Sequence, residues 1–171
     1  MDVMVAREST EAARQPVSAH AGKYLTFTLG YEEYGLPVLK VREIIKVMDI
    51  TQVPQVPEHV LGVINLRGKV IPVIDLRRRF QLPAHEHTEH TCIIVADVEL
   101  ATTKVMMGVV VDGVSEVLNV NATEIEATPQ FGGHNSIDYV LGLAKVKGTV
   151  KILLDLDRVL GSDGPLELPP L

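Results

Sequence analysis

The sequence predicts an all-β protein built from two related small barrels, and three observations predict it. Apolar residues make up 46% of the chain and aromatic residues only 4%, so Val, Leu and Ile must form the core. β-Branched residues favour strands over helices. Short apolar runs alternate with turn residues, and the second half of the chain repeats the pattern of the first. We therefore expect a duplicated barrel, with a groove where the two halves meet.

The first elements of the chain read as short strands. Residues 23–30 (KYLTFTLG) alternate between polar and apolar side chains, as a half-buried strand does. Residues 34–39 predict a second strand. Residues 40–48 fit either a helical turn or a bent strand, and their pattern does not decide between the two. Pro54 and Pro57 then interrupt the chain before the next apolar run.

Residues 60–80 (VLGVINLRGKVIPVIDLRRRF) read as a hairpin followed by a helical turn. Arg67 and Gly68 form the turn, because glycine adopts the positive φ that a tight hairpin needs. Asp75 is placed to cap the helical turn. Residues 140–160 (VLGLAKVKGTVKILLDLDRVL) repeat this stretch without a gap, and Lys147 takes the place of Arg67.

The repeat extends to the strands before each hairpin. Residues 34–47 (YGLPVLKVREIIKV) match residues 107–120 (MGVVVDGVSEVLNV), so that Glu43 corresponds to Glu116. The second half has strand patterns at residues 92–98, 104–111 and 117–120. Each half thus has about five short strands and no long amphipathic helix.

The domain boundaries follow from composition. Residues 1–22 and 161–171 are predicted to be mobile tails around one domain of residues 23–160. The polar loop at residues 81–91 separates a first barrel of residues 23–82 from a second of residues 90–160, and an exchange of strands between them is left open. The N-terminal stretch lacks the pattern of a signal peptide, and no apolar run is long enough to insert into a membrane.

Charge and cysteine content exclude other classes. The net charge is −6 without a basic run, which argues against a nucleic-acid partner. The lone Cys92 excludes an intramolecular disulfide and fits a reducing cytoplasm. No nucleophile or phosphate-binding motif is present, so we expect neither an enzyme nor a cofactor. His85, His87 and His90 resemble metal-ligand spacing, but a solvated loop is favoured because zinc ligands usually come from two structured segments.

Four motifs together resemble the CheW family of chemotaxis coupling proteins, from about residue 23 to residue 160. They are YGLPVLKVREIIKV, GVINLRGKVIPVIDLRRRF, MGVVVDGVSEVLNV and VLGLAKVKGTVKILLDLDRVL. The resemblance implies two SH3-like five-stranded β-barrels that share a core, and an adaptor without catalytic activity. The adaptor would join the cytoplasmic tips of chemoreceptors to the regulatory domain of the histidine kinase CheA. A related adaptor of a surface-motility or developmental pathway is the alternative.

The resemblance also implies a site. The receptor tip would lie in a groove between the barrels, formed by Val38, Val41, Glu43, Gly62, Arg67, Val114 and Val117. Arg67 would pair with Glu43 or with a receptor carboxylate, and Gly62 would let a helix approach the backbone closely. Phe131 would contact the kinase domain. The protein would be cytoplasmic and recruited to the inner face of the membrane through receptors.

Overall fold

The computed structural model describes residues 17–128 and 139–161, and strands dominate this part of the chain. The strands are β1 (Gly22–Leu29), β2 (Glu32–Pro37), β3 (Val41–Lys46), β4 (Val60–Leu66), β5 (Lys69–Asp75), β6 (Cys92–Glu99), β7 (Lys104–Val111), β8 (Gly113–Val120), β9 (Ile125–Glu126), β10 (Val140–Val146) and β11 (Thr149–Leu154). The helices are α1 (Leu76–Arg79) and α2 (Leu156–Gly161), and short 3₁₀ turns cover Val17–His20, Val38–Lys40 and Ala122–Glu124. None of the described helices is long and apolar enough to cross a membrane.

The strands form two sheets, which confirms the all-β prediction with two β subdomains. One sheet has the order β8-β1-β2-β11-β10-β9, and the other has the order β3-β6-β7-β5-β4. The two-residue β9 is added to the five strands expected of the first sheet.

Each sheet contains strands from both halves of the sequence. The hairpin β1–β2 pairs with β8 and β11 of the second half, and β6–β7 pairs with β3 and β5 of the first half. The chain passes from one sheet to the other at the turn Val38–Lys40, and again at Asp112 between β7 and β8. The boundaries at residues 23–82 and 90–160 therefore separate the two copies of the repeat, and they do not separate the two sheets.

The two repeated hairpins have the same turn geometry. Arg67 and Gly68 have φ values of 52° and 86°, and Lys147 and Gly148 have values of 54° and 79°. Two consecutive positive φ values are the geometry of the two-residue type I′ turn, which matches the twist of the strands. The predicted hairpins at residues 60–80 and 140–160 are confirmed.

Several local predictions are resolved by the backbone. The undecided stretch at residues 40–48 begins as a 3₁₀ turn and continues as β3, and the predicted strand at residues 117–120 is the end of the longer β8. The Asp75 carboxylate accepts a hydrogen bond from the backbone N–H of Arg77 at 2.9 Å, so the predicted cap is confirmed. The turn Val17–His20 and the start of β1 lie within the stretch expected to be a mobile tail.

A shared core lies between the sheets. Its largest cluster joins buried residues of the first sheet to buried residues of the second and of α2, including Leu25, Phe27, Leu36, Ile94, Met107, Val109 and Val159. A row of four stacked rings borders this cluster, with centroid separations of 5.7 Å (Phe27–Tyr34), 5.8 Å (Tyr34–Phe80) and 5.4 Å (Phe80–Tyr139). The two subdomains therefore form a single packed body.

Candidate partner-binding site

Arg67 and Glu43 form an exposed ion pair at the tip of the β4–β5 hairpin. The Arg67 Nη1 atom donates to Glu43 Oε1 at 3.2 Å, and Nη2 donates to Oε2. The hydrogen bond from Arg67 lowers the pKa of Glu43, and the pKa of Arg67 is raised in return. The pairing expected for these two residues is confirmed, and it holds the guanidinium in a fixed orientation on the surface.

The second copy of the repeat carries a weaker version of the same pair. Lys147 stands at the tip of the β10–β11 hairpin, and its Nζ lies 3.6 Å from Oε1 of Glu116. Lysine offers a point charge and arginine a planar fork, so the two hairpin tips present different chemistry on the same backbone.

The four predicted groove valines divide between two environments. Val38, Val41 and Val114 are partly buried and pack against the shared core, whereas Val117 on β8 is 54% exposed. Val41 lies in β3 of one sheet and Val114 in β8 of the other. Three of the four valines therefore lie against the core that the two subdomains share, and Val117 stands apart from them on the exposed face of β8.

Gly62 does not leave its backbone open to a partner helix, so the close approach expected there is wrong. Gly62 is buried with φ 145°, and a Cβ atom there would lie 2.0 Å from the carbonyl oxygen of Thr51. Thr51 exchanges two backbone hydrogen bonds with Val63, at 2.8 Å and 2.9 Å. The chain's own Thr51 segment thus occupies the space that was expected to admit a partner helix. No signal in the sequence pointed to Thr51.

The histidine loop, Cys92 and Phe131 form no binding site among the described residues. His85, His87 and His90 are exposed, and no three His, Cys, Asp or Glu side chains among the described residues are placed to hold a metal ion. Burial raises the pKa of the Cys92 thiol, which disfavours the thiolate form. Phe131 lies outside the described residues.

An ion-pair clamp that the sequence did not indicate holds the crossover between β7 and β8. Arg77 of α1 donates to both oxygens of Asp112, from Nε at 2.7 Å and from Nη2 at 2.6 Å, and the backbone N–H of Gly30 donates to the same carboxylate at 2.7 Å. Burial alone would raise the pKa of Asp112, but the hydrogen bonds from Arg77 and Gly30 outweigh it and lower the pKa.

A second clamp, with the charges reversed, holds the other crossover. Lys40 donates to Asp157 of α2 at 2.9 Å, and the backbone N–H of Glu99 donates to Asp157 at 2.8 Å. We call the two arrangements the crossover clamps. The one available signal was that Arg77 and Asp157, at equivalent positions of the repeat, carry opposite charges.

Comparison with known proteins identifies the family to which this architecture belongs. A family model described as the CheW-like domain matches residues 23–164. The chain belongs to the CheW-like domain family. Among CheW relatives, the chemotaxis protein CheW of Klebsiella aerogenes is 38% identical over 141 residues, covering 82% of each chain. That of Helicobacter pylori is 30% identical over 158 residues, covering 92% of each.

A solved CheW structure has the same fold. The crystal structure of the scaffolding protein TtCheW from Thermoanaerobacter tengcongensis matches with a TM-score of 0.74 and 34% sequence identity. The match covers 86% of this chain and 98% of that one. The family resemblance of the four sequence motifs is thereby confirmed.

Proposed function

We propose that this chain is a non-catalytic adaptor that couples chemoreceptors to the histidine kinase CheA in bacterial chemotaxis. The observation that carries the proposal is that residues 23–164 match the CheW-like domain as one unit. The chemotaxis relatives and the scaffolding protein of known structure support this role. The adaptor works in the cytoplasm, inserts no segment into the membrane, and reaches the membrane face through its receptors.

The proposed receptor site lies where the subdomains meet. Val38, Val41, Val114 and Val117 offer small apolar side chains to the apolar face of a receptor helix. The Arg67 fork stands at its rim, where it is 71% exposed and already oriented by Glu43. A receptor carboxylate can share this guanidinium, which has more donors than Glu43 uses. Gly62 supports the site from within by letting the Thr51 segment pack.

The proposed kinase partner is the regulatory domain of CheA. From the family resemblance, we expect a barrel of that domain to pack against a barrel of this chain, with Phe131 as a contact. A scaffold changes kinase output only if its contacts differ between the active and inactive states of the kinase. The core that the two sheets share suits this role. Because the core is densely packed, a displacement of one sheet must be passed on to the other.

A binding assay with matched variants tests the receptor site. Val117→Lys places a charge on the proposed groove, whereas Val150→Lys changes a similarly exposed valine outside it (54% and 48% exposed). We expect a receptor signalling tip to co-purify with the wild type and with Val150→Lys but not with Val117→Lys. The CheA regulatory domain should bind all three. If the wild type binds neither partner, the adaptor function is wrong; if Val117→Lys binds the tip normally, the groove is wrong.

A further inference from the structure

The two subdomains differ at equivalent seams between parallel strands. The β11–β2 seam is paired from Lys151 opposite Glu33 to Leu153 opposite Gly35, and an ion pair between the buried Lys151 and the half-buried Glu33 closes it. The equivalent β5–β7 seam also has three pairs, but they are shifted by two residues along both strands, to residues 73–75 and 108–110. Residues 69–72 and 104–107 do not pair across it. In the sequence repeat, Ile71 corresponds to Lys151 and Met106 corresponds to Glu33. The β5–β7 seam therefore has no equivalent of the Lys151–Glu33 ion pair.

Pro72 keeps this seam open. Val63 lies opposite Pro72 in the β4–β5 pair, and its backbone N–H and C=O both bond to Thr51 on the far side. In such a non-hydrogen-bonded pair, the backbone N and C=O of Pro72 point the other way, toward β7. Proline has no N–H to donate there, whereas the repeat-equivalent residue is Ile152. The opening is therefore specified by the sequence of this copy.

The open seam is a cleft of about 900 Å³ with an apolar floor and a basic rim. Buried side chains of the core form its floor, and Val70, 51% exposed, stands at its mouth. Its charged lining residues are Arg42, Lys69, Lys104 and Asp97, and Asp97 pairs with Arg42 at 3.2 Å. Neither lysine forms an ion pair with a described residue. In a chain of net charge −6, this cleft is an uncompensated basic and apolar site.

We propose that residues 162–171 of the same chain bind in this cleft. Their sequence, SDGPLELPPL, supplies Asp163 and Glu167 without a basic residue, and three leucines. A Cβ atom built on Gly161, the last described residue, would lie 4.0 Å from Leu100, which lines the cleft. Ten residues span up to about 33 Å when extended, so the segment can reach the basic rim. The leucines match the apolar floor, and the two carboxylates match Lys69 and Lys104. Reversible binding is compatible with the proline content that predicted a mobile tail.

A competition experiment tests the assignment in the full chain. The probe is a fluorescein-labelled peptide of sequence SDGPLELPPL, and binding is measured by fluorescence anisotropy. The protein is either the wild type or a chain in which Leu166→Asp and Leu168→Asp disable its own tail. A tethered tail competes at an effective concentration of the order of millimolar. We therefore expect the peptide to bind the disabled chain at least tenfold more tightly than the wild type.

The site itself is tested by a matched pair within the disabled chain. Val70→Glu should abolish peptide binding, whereas Val150→Glu, at the repeat-equivalent and similarly exposed position, should leave it unchanged. Raising the salt concentration should weaken binding, because the lysine contacts are exposed. Equal binding to the wild type and the disabled chain, no binding to the disabled chain, or equal loss in both valine variants would overturn the proposal. The experiment needs neither receptor nor kinase, so its failure leaves the adaptor function untouched.

Discussion

Single residues decide how differently the two repeated hairpins behave. Arg67 and Lys147 have nearly the same backbone conformation, with φ 52° and 54°. Arg67 holds Glu43 through two hydrogen bonds, and Lys147 approaches Glu116 at 3.6 Å. A planar guanidinium on a fixed carboxylate has a defined direction, which a flexible ammonium lacks. The directional tip is the better candidate for specific recognition.

Replacement of Arg67 by lysine should weaken coupling between receptor and kinase without unfolding the protein. The charge is kept, but the paired hydrogen bonds to a carboxylate are lost. Kinase activity in reconstituted receptor complexes measures the coupling, and thermal melting measures the fold. Lys147→Arg is the matched control and should change neither. A large drop in melting temperature for Arg67→Lys would instead assign this residue a structural role.

Gly62→Ala should destabilise the fold by roughly 2–4 kcal/mol, the range of a severe overpacking change. The added methyl group would overlap the Thr51 carbonyl at 2.0 Å and break the two hydrogen bonds to Val63. Gly68→Ala is the control: it has φ 86° but nothing within 4 Å, so only the backbone cost remains. Urea unfolding measures both. Comparable midpoints for the two variants would show that the Thr51 segment yields easily.

At the scale of elements, much of the fold was predictable from local pattern. Alternation and the Arg67–Gly68 and Lys147–Gly148 turns identified the strands and the hairpins, because these signals involve neighbouring residues. Strand exchange was not predictable. The two copies have similar apolar patterns, so β1–β2 satisfies the same local rules beside β3 and β5 as beside β8 and β11. The crossover clamps were not predictable either, because local patterns do not reveal contacts between residues as distant in sequence as Arg77 and Asp112.

The Arg77–Asp112 clamp should make stability depend on pH in acid. The folded-state pKa of Asp112 lies below its ordinary value of 3.8. Its contribution is therefore present above about pH 4 and is lost as the pH falls through the folded-state pKa. Urea unfolding at pH 5 and pH 3 should show a smaller loss of stability for Asp112→Asn than for the wild type. Equal losses would mean that other carboxylates carry the whole acid sensitivity.

At the scale of the whole molecule, the exchange makes the two halves of the chain dependent on each other. Neither residues 1–82 nor residues 90–171 contain all the strands of one sheet. Each half alone would leave unpaired strand edges and an open apolar face. The candidate site depends on the same arrangement, because its valines come from both sheets. Sequence reasoning named those residues through family resemblance, and their relative placement required the structure.

The separated halves should not fold alone, and mixing them should restore the native circular dichroism spectrum. The intact chain should unfold in one transition, because the shared core belongs to both sheets. Calorimetry and circular dichroism measure these outcomes. A stable sheet signal from either half alone, or two separate transitions in the intact chain, would contradict this interdependence.

The row of stacked rings at the joint has an optical consequence. The chain has no tryptophan and only four tyrosines, and two of these, Tyr34 and Tyr139, belong to the row. Burial, followed by the nearby charge of Glu32, raises the pKa of Tyr34. Its phenol should therefore ionise in alkali only above the ordinary value. The unlabelled protein thus carries an ultraviolet reporter at the point where its subdomains meet, and absorbance there can follow a partner's effect on the joint.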